Sequence, residues 1–220
     1  MILQRPSGAW ALYVLAHGAG AGMRHPFLEA LAAALGAEGV ATLRYEFSYM
    51  EAGGRIDSKP VLHARVREAV AAGRAEGLPL FAGGKTMGGR MTSEALSLEA
   101  KAFVRGIAFV GFPLHPAGRP GVARAEHLGA VSLPMLFLQG TRDELADLAL
   151  LRPIVAGMPR AALHVIDDAD HSFHVRKKSG RTDAEVLVEL ARTFAQWARE
   201  IIGHQGDEAR AARLVARRGK

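Results

Sequence analysis

Short apolar runs alternate with longer amphipathic stretches along the whole chain. In six of these runs the apolar residues are continuous rather than alternating, as expected for strands that are covered on both faces. They lie at residues 10–18, 39–47, 78–85, 106–113, 134–140 and 162–169. Such alternation of strand and helix predicts an α/β fold with a doubly wound, mostly parallel sheet. We expect about six to seven strands, with helices on both faces.

The helical stretches between these runs show apolar residues at three- and four-residue spacing. Their stripes begin at Leu28, Leu62, Met87 and Leu187. Thr182, with Glu three positions later, fits a capping box at the start of the last helix. No repeat, low-complexity segment or linker divides the chain, so we predict a single domain at 1–203 followed by a basic tail at 204–220.

Composition favours an ordinary globular domain, with 49% hydrophobic and 23% charged residues in a chain of 220. The absence of cysteine excludes a disulfide framework and a thiolate metal site. The net charge is +6, and several of the basic residues lie at positions 210–220, where no aromatic residues are interleaved with them. We interpret this segment as a solvated helix end, and we expect no nucleic-acid partner.

The first residues of the chain and its hydropathy pattern indicate a cellular location. The first ten residues, "MILQRPSGAW", lack the long apolar core of a signal peptide. No apolar run approaches the ~20 residues that a membrane-spanning helix requires. We therefore expect a cytoplasmic protein that does not associate with membranes.

The segment "GGKTMGG" at residues 83–89 has two interpretations. A phosphate-binding loop requires a glycine five residues before Gly84, but Pro79 occupies that position, and the residues between them resemble strand interior. The alternative is G-x-T-x-G, formed by Gly84, Thr86 and Gly88 between an apolar strand and a helix. This is the context of a hydrolase's nucleophile elbow, with threonine as the candidate nucleophile.

A hydroxyl nucleophile requires a base and a group that orients the base, and both follow it in this fold. Asp143 follows the apolar run 134–140, and His171 follows the run 162–169. Asp143 could instead cap a helix, and His171 could be a polar loop residue. Asp170 is a further candidate for the orienting acid, but adjacent residues rarely bring a carboxylate to the neighbouring imidazole, so Asp143 is preferred.

The oxyanion hole of such a site uses the backbone N–H after the nucleophile and a second N–H from an early loop. The glycine-rich loop "AHGAGAGMRHPF" at residues 16–27 follows the first long apolar run. We assign the two donors to Ala19 and Met87. The alternative is that this loop only joins a strand to a helix.

Six motifs, taken in their order along the chain, resemble those of a known protein family. "HGAGAGMRHPF", "LRYEFSYM", "GGKTMGGRMTS", "GFPLHP", "QGTRDE" and "DADHSF" resemble those of small α/β hydrolases, over roughly residues 10–202. The branch is similar to dienelactone hydrolase and to the testis-expressed and chromatin-complex hydrolase-like proteins. The resemblance implies an α/β-hydrolase fold and a Ser-Asp-His triad, carried here onto Thr86, Asp143 and His171. That branch usually reads G-G-K-S, so the threonine is a departure.

Loops expected at the same edge of the sheet supply candidate substrate contacts. The predicted substrate-binding residues are Arg24, His25, Tyr49, Leu114, His115 and Phe173. They form a mixed apolar and cationic rim that suits a small ester, lactone or thioester, although Arg24 could be only a solvated charge. Because the segment between Phe112 and Leu133 is short, we expect no large lid.

Metal chemistry has one candidate, the H-x-x-H spacing of His171 and His174. These residues lie in a predicted loop without a third ligand, so we expect no metal and no cofactor. Three function classes remain: hydrolysis of a small acyl substrate with a Thr-Asp-His triad, a catalytically silent scaffold that binds a small molecule or a protein, and other chemistry. The pattern does not indicate an oligomeric state.

Overall fold

A seven-stranded sheet forms the centre of the protein in the computed structural model, which describes the backbone of residues 1–99 and 102–218. The strands are β1 (Ile2–Gln4), β2 (Ala11–Ala16), β3 (Val40–Tyr45), β4 (Leu80–Lys85), β5 (Val104–Val110), β6 (Met135–Gly140) and β7 (Ala161–Ile166). Their order in the sheet is β1-β3-β2-β4-β5-β6-β7. All neighbouring pairs are parallel except β1 with β3.

The helices lie on both faces of this sheet. They are α1 (Pro26–Ala37), α2 (Ser48–Glu51), α3 (Lys59–Arg74), α4 (Met87–Leu98), α5 (Leu148–Ala156) and α6 (Asp183–Arg218). Buried residues of α1 and α6 pack in one apolar core, and those of α3, α4 and α5 pack in the other. The expectation of a doubly wound α/β sheet is confirmed.

Each of the six apolar runs overlaps one of the strands β2 to β7, in the predicted order, and β5 and β7 begin one or two residues before their runs. Every residue of β2 and β3 is buried, which explains why their sequences do not alternate between apolar and polar residues. β1 was not predicted. It has three residues and pairs antiparallel at the edge of the sheet, so it is too short to show a hydropathy period.

The last helix begins with the predicted capping box. The Thr182 N–H donates to the Glu185 carboxylate at 2.7 Å, and the Glu185 N–H donates to the Thr182 hydroxyl at 3.3 Å. α6 then continues through residue 203 to Arg218, so the predicted boundary between domain and tail does not coincide with a helix end.

Parallel strands bring their following loops to one edge of the sheet. The residues after β2, β4, β6 and β7 therefore converge, although they are far apart in the chain. Between β5 and β6 the described residues form only a 3-10 segment, Ala123–Ala130, and no large lid. None of the helices in the described ranges is long and apolar enough to cross a bilayer.

Candidate active site

Thr86 lies at the sharp turn between β4 and α4. Its backbone has φ 50° and ψ −116°, an unusual conformation for a β-branched residue, with a strain of order 1 to 3 kcal/mol. The turn is tight because the helix starts beside the end of β2. A Cβ at Gly88 would lie 2.5 Å from the His17 carbonyl oxygen, so only glycine fits there. The local structure is the predicted strand, turn and helix of a nucleophile elbow.

Three side chains from separate loops form a hydrogen-bonded chain. Thr86 Oγ1 lies 2.7 Å from His171 Nε2, and His171 Nδ1 lies 2.7 Å from Asp143 Oδ2. When Nδ1 carries the imidazole proton, Nδ1–H donates a hydrogen bond to Asp143 and Nε2 is free to accept one from the Thr86 hydroxyl. The structure therefore brings together the three residues that the sequence reasoning selected.

Asp143 is held in place by its own hydrogen bonds. Its side chain is completely buried, and its carboxylate accepts from the Gln139 side-chain amide and from the Leu145 N–H at 2.8 Å. Asp147, not Asp143, caps α5 by accepting from Ala149 N. Asp143 is therefore not the cap of that helix.

Asp170, the other candidate for the orienting acid, has a different role. Its Oδ1 accepts the N–H groups of Ser172 and His174 at 2.8 and 3.0 Å. It shapes the turn that carries His171, whereas Asp143 makes the hydrogen bond to the imidazole.

The predicted oxyanion-hole donors, Ala19 and Met87, belong to the loop after β2 and to the first turn of α4. Met87 is the first residue of α4, so its N–H has no partner within the helix. Ala19 lines the cleft beside Thr86, and among the described residues its N–H makes no backbone hydrogen bond. The Tyr49 hydroxyl donates to the Ala19 carbonyl at 2.9 Å, which fixes the orientation of this part of the loop.

His17 anchors the same loop from beneath. It is fully buried, its Nδ1–H donates to the Gly18 carbonyl at 2.7 Å, and its Nε2 accepts from the Phe47 N–H at 3.0 Å. Burial holds the pKa of the imidazole below its usual value, which is consistent with this neutral tautomer. Sequence reasoning assigned no role to His17.

Thr86 and His171 open into a cleft of about 350 Å³. Its apolar walls include Ala19, Ala21, Phe27, Leu28 and Leu145. This size lies within the range typical of small-molecule sites.

Only His25 of the six predicted substrate-binding residues lines this cleft. Arg24 is exposed and Leu114 is completely buried. Tyr49 is buried behind the Ala19 loop, and Phe173 is buried against Phe27, with 5.8 Å between ring centroids. These loops do reach the expected edge, but the direction of each side chain follows from packing.

His115 lies apart from the cleft, in a separate cavity that also borders Asp143. Its Nε2 accepts from the Asp147 N–H at 3.0 Å, and its Nδ1 donates to the Pro116 carbonyl at 2.9 Å. Both nitrogens are therefore occupied by backbone groups, which gives His115 a structural role in joining two loops.

The chain also matches a known protein family. The family model of the alpha/beta hydrolase domain matches residues 9–199. The chain belongs to the α/β-hydrolase family.

Solved structures support the same fold. Dienelactone hydrolase from Anabaena variabilis is similar with a TM-score of 0.68 and 20% identity, covering 89% of this chain and 88% of that one. An alpha-beta serine hydrolase homologue from Coxiella burnetii has a TM-score of 0.63 and 21% identity, with coverage of 86% and 89%. An α/β serine hydrolase without lid from Xanthomonas campestris has a TM-score of 0.64 and 18% identity, with coverage of 90% and 87%. At these identities the similarity shows the shared fold.

Gln139 and Lys85 contact the candidate triad of this α/β-hydrolase, and neither was found from the sequence. Gln139 holds the Asp143 carboxylate, but one glutamine at the end of β6 carries no distinguishing pattern. Lys85 stands directly before Thr86, and its Nζ contacts Thr86 Oγ1 at 3.2 Å and the His171 carbonyl at 2.6 Å. Its place beside the candidate nucleophile was a signal that could have identified it.

The histidine pair considered for metal binding is divided between two carboxylates in this α/β-hydrolase. His171 bonds with Asp143, and His174 bonds with Asp183 at 2.9 Å. Within the described residues, no group of three or more potential ligands is placed to hold a metal ion.

The protonation of Lys85 is expected to make the stability of the protein depend on pH in the alkaline range. Burial lowers the pKa of its ammonium from 10.5 to about 8, against the opposite effect of the Asp143 and Asp170 carboxylates. Between these pKa values the unfolded chain holds a proton that the folded chain has released, so this contribution to the free energy of unfolding rises with pH. Between pH 8 and 10, the free energy of unfolding of the wild type should rise by about 2 kcal/mol relative to that of Lys85→Met.

Urea unfolding of the two proteins across this pH range measures that difference. Lys178→Met, which removes an exposed lysine, is the matched control: it keeps Lys85, so the wild type should show no such gain relative to it. A constant difference between wild type and Lys85→Met would contradict the lowered pKa.

Proposed function

We propose that the protein hydrolyses small ester, lactone or thioester substrates by nucleophilic acyl transfer. The observation that carries this proposal is the hydrogen-bonded chain from Thr86 through His171 to Asp143, which starts at an elbow of positive φ. Hydroxyl, imidazole and buried carboxylate in this order are the groups that such chemistry requires. Family membership and the hydrolases among the similar structures support the same reaction class.

Acylation begins when Thr86 Oγ1 attacks the substrate's carbonyl carbon while His171 Nε2 takes the hydroxyl proton. Asp143 stabilises the imidazolium that results. The carbonyl oxygen gains negative charge, and the N–H groups of Ala19 and Met87 stabilise it. The tetrahedral intermediate then collapses, His171 donates its proton to the leaving group, and an acyl ester on Thr86 remains.

Deacylation repeats these steps with water as the nucleophile. His171 takes a proton from water, the hydroxide adds to the acyl carbon, and Thr86 Oγ1 leaves with the proton that His171 returns. The products are a carboxylic acid and the free enzyme.

Substrate size follows from the cleft. A volume of about 350 Å³ and walls that include Phe27, Leu28 and Leu145 suit a compact, partly apolar acyl group. Small activated esters of increasing chain length are therefore the appropriate first substrates.

An activated fluorophosphonate probe is expected to form a covalent adduct at Thr86. The hydroxyl displaces fluoride from phosphorus in the same way that it attacks an acyl carbon, with His171 as the base. Mass spectrometry of the intact protein and then of its peptides measures the adduct and its position.

Thr86→Ala should remain unlabelled, whereas Ser7→Ala, which removes an exposed hydroxyl near the N-terminus, should label like the wild type. An adduct on Ser172, the other hydroxyl residue in the cleft lining, would contradict the assignment of the nucleophile. A protein that stays unlabelled but still binds ligands would favour the catalytically silent scaffold.

A further inference from the structure

Lys85 ends β4 and directly precedes the elbow, so its side chain enters the cleft beside Thr86. Its Nζ lies 3.2 Å from Thr86 Oγ1, 2.6 Å from the His171 carbonyl oxygen and 3.4 Å from His171 Nε2. The Nζ therefore contacts both groups that exchange a proton in the proposed reaction.

We propose that Lys85 is a fourth catalytic residue, whose ammonium donates a hydrogen bond to Thr86 Oγ1 and stabilises the negative charge that develops there. This inference rests on the proposed hydrolase function. Thr86 Oγ1 becomes electron-rich twice, when it loses its proton during attack and when it leaves the acyl carbon during deacylation. A donor that carries a charge makes a hydrogen bond roughly twice as strong as a neutral donor does.

The surroundings of Nζ form a site shaped for a cation. The Phe173 and Phe27 rings lie on its apolar side, with their centroids 5.3 and 5.8 Å away. Gly111, at φ 71°, closes another side, and a Cβ there would stand 3.1 Å from Nζ. These contacts limit the positions open to the ammonium and keep it beside Thr86 Oγ1.

The charges of the site balance when Lys85 is protonated. During attack, negative charge lies on Asp143 and on the reacting oxygens, and positive charge lies on the His171 imidazolium and on Lys85. With a neutral lysine, the same state would carry one uncompensated negative charge in a partly desolvated cleft, where such charges are costly.

Geometry also favours the ammonium as donor over a neutral amine acting as base. His171 Nε2 is closer to Thr86 Oγ1 than Lys85 Nζ is, at 2.7 Å against 3.2 Å. The short contact from Nζ to the His171 carbonyl uses one N–H of Lys85, and the ammonium has two more, one of which can donate to Thr86 Oγ1. His171 thus takes the proton, and Lys85 stabilises the oxygen that lost it.

The charge on Lys85 depends on pH. Burial brings its pKa down to about 8, and the facing carboxylates of Asp143 and Asp170 oppose this shift. His171 is the remaining titratable group in contact with Nζ. Because the ammonium loses its proton as pH rises through about 8, kcat/KM should decline in that range.

The test measures kcat/KM for p-nitrophenyl acetate from pH 6 to 10, after subtraction of the uncatalysed rate. Lys85→Met should lower the value at pH 7 by about tenfold to 100-fold and should lack the alkaline decline. Lys178→Met, the loss of an exposed lysine, should match the wild type in both respects. Lys85→Arg keeps the charge and should move the decline above pH 10, which provides a second test if Lys85→Met does not fold.

The outcomes separate this inference from the proposed function. A wild type without turnover and without probe adduct at Thr86 overturns both. If the wild type is active, Lys85 is overturned as a catalytic residue when Lys85→Met keeps most of the activity or the same alkaline decline. A rise of kcat/KM through pH 8 that disappears in Lys85→Met would make the neutral amine a base and would also overturn the donor role.

Discussion

Replacement of His171 by alanine is expected to lower esterase turnover by roughly 10³-fold or more and to abolish probe labelling, because triad members act as a unit. His171 Nε2, at 2.7 Å from Thr86 Oγ1, is the closest acceptor for the hydroxyl proton, and without it Thr86 remains a weak nucleophile. Initial rates on p-nitrophenyl acetate and the extent of fluorophosphonate labelling measure this effect.

The fold should survive that substitution, since the His171 side chain is partly exposed at the mouth of the cleft. Circular dichroism and a thermal unfolding curve check this. His174→Ala is a matched control, because this histidine lies three residues further on and bonds with Asp183 outside the cleft. If His171→Ala retains most of the activity, the triad assignment is rejected.

Substitution of Thr86 by serine is expected to raise turnover on a small activated ester. Serine keeps the hydroxyl group but lacks the β-methyl group, which makes threonine a strained residue at φ 50°. That methyl also restricts χ1. With χ1 less restricted, Oγ1 can adjust toward the substrate carbonyl during attack, where a misplacement of about 1 Å can cost on the order of 100-fold in rate, so we expect a gain of about tenfold or more.

The matched variant Thr86→Ala should lose turnover, because it has no hydroxyl to attack the substrate. Steady-state kinetics of wild type, Thr86→Ser and Thr86→Ala with one ester measure the series, and circular dichroism shows that the fold is unchanged. Equal activity in all three proteins would show that residue 86 is not the nucleophile. No activity in any of them would favour the binding scaffold.

The orientation of the Thr86 hydroxyl could not be predicted from the sequence. Restricted χ1 at a strained turn leaves open whether Oγ1 points at the histidine. In the structure the distance of 2.7 Å from Oγ1 to His171 Nε2 answers this question. The cost of threonine therefore lies in backbone strain and in the added methyl, not in a hydroxyl that points away.

The chain order of the site was predictable because the fold fixes where its loops meet. Thr86, Asp143 and His171 each follow an apolar run, and parallel strands bring the residues after such runs to one edge. The spacing of apolar positions also placed α4 directly behind the elbow. The apolar runs before the three residues and the apolar spacing of α4 can each be identified within a short segment of the sequence.

The walls of the cleft were less predictable. Phe173 and Tyr49 were expected to contact substrate, but both are buried against other parts of the protein. Phe27 and Leu145 line the cleft without any sequence signal that marks them. Residues in loops take their direction from tertiary packing, and loops have no hydropathy period that reveals this direction.

The sequence by itself determined the α/β class, the order of strands and helices and the three members of the candidate triad, because each rests on local periodicity or on a short motif. Only the tertiary structure placed Lys85 against Thr86 Oγ1 and His171, and Gln139 against Asp143. Lys85 and His171 are 86 positions apart in the chain, so their contact depends on how the end of β4 and the loop after β7 are held against one another. Gln139 and Asp143 are only four positions apart, but the direction of each side chain follows from packing at the end of β6, which no hydropathy period reveals.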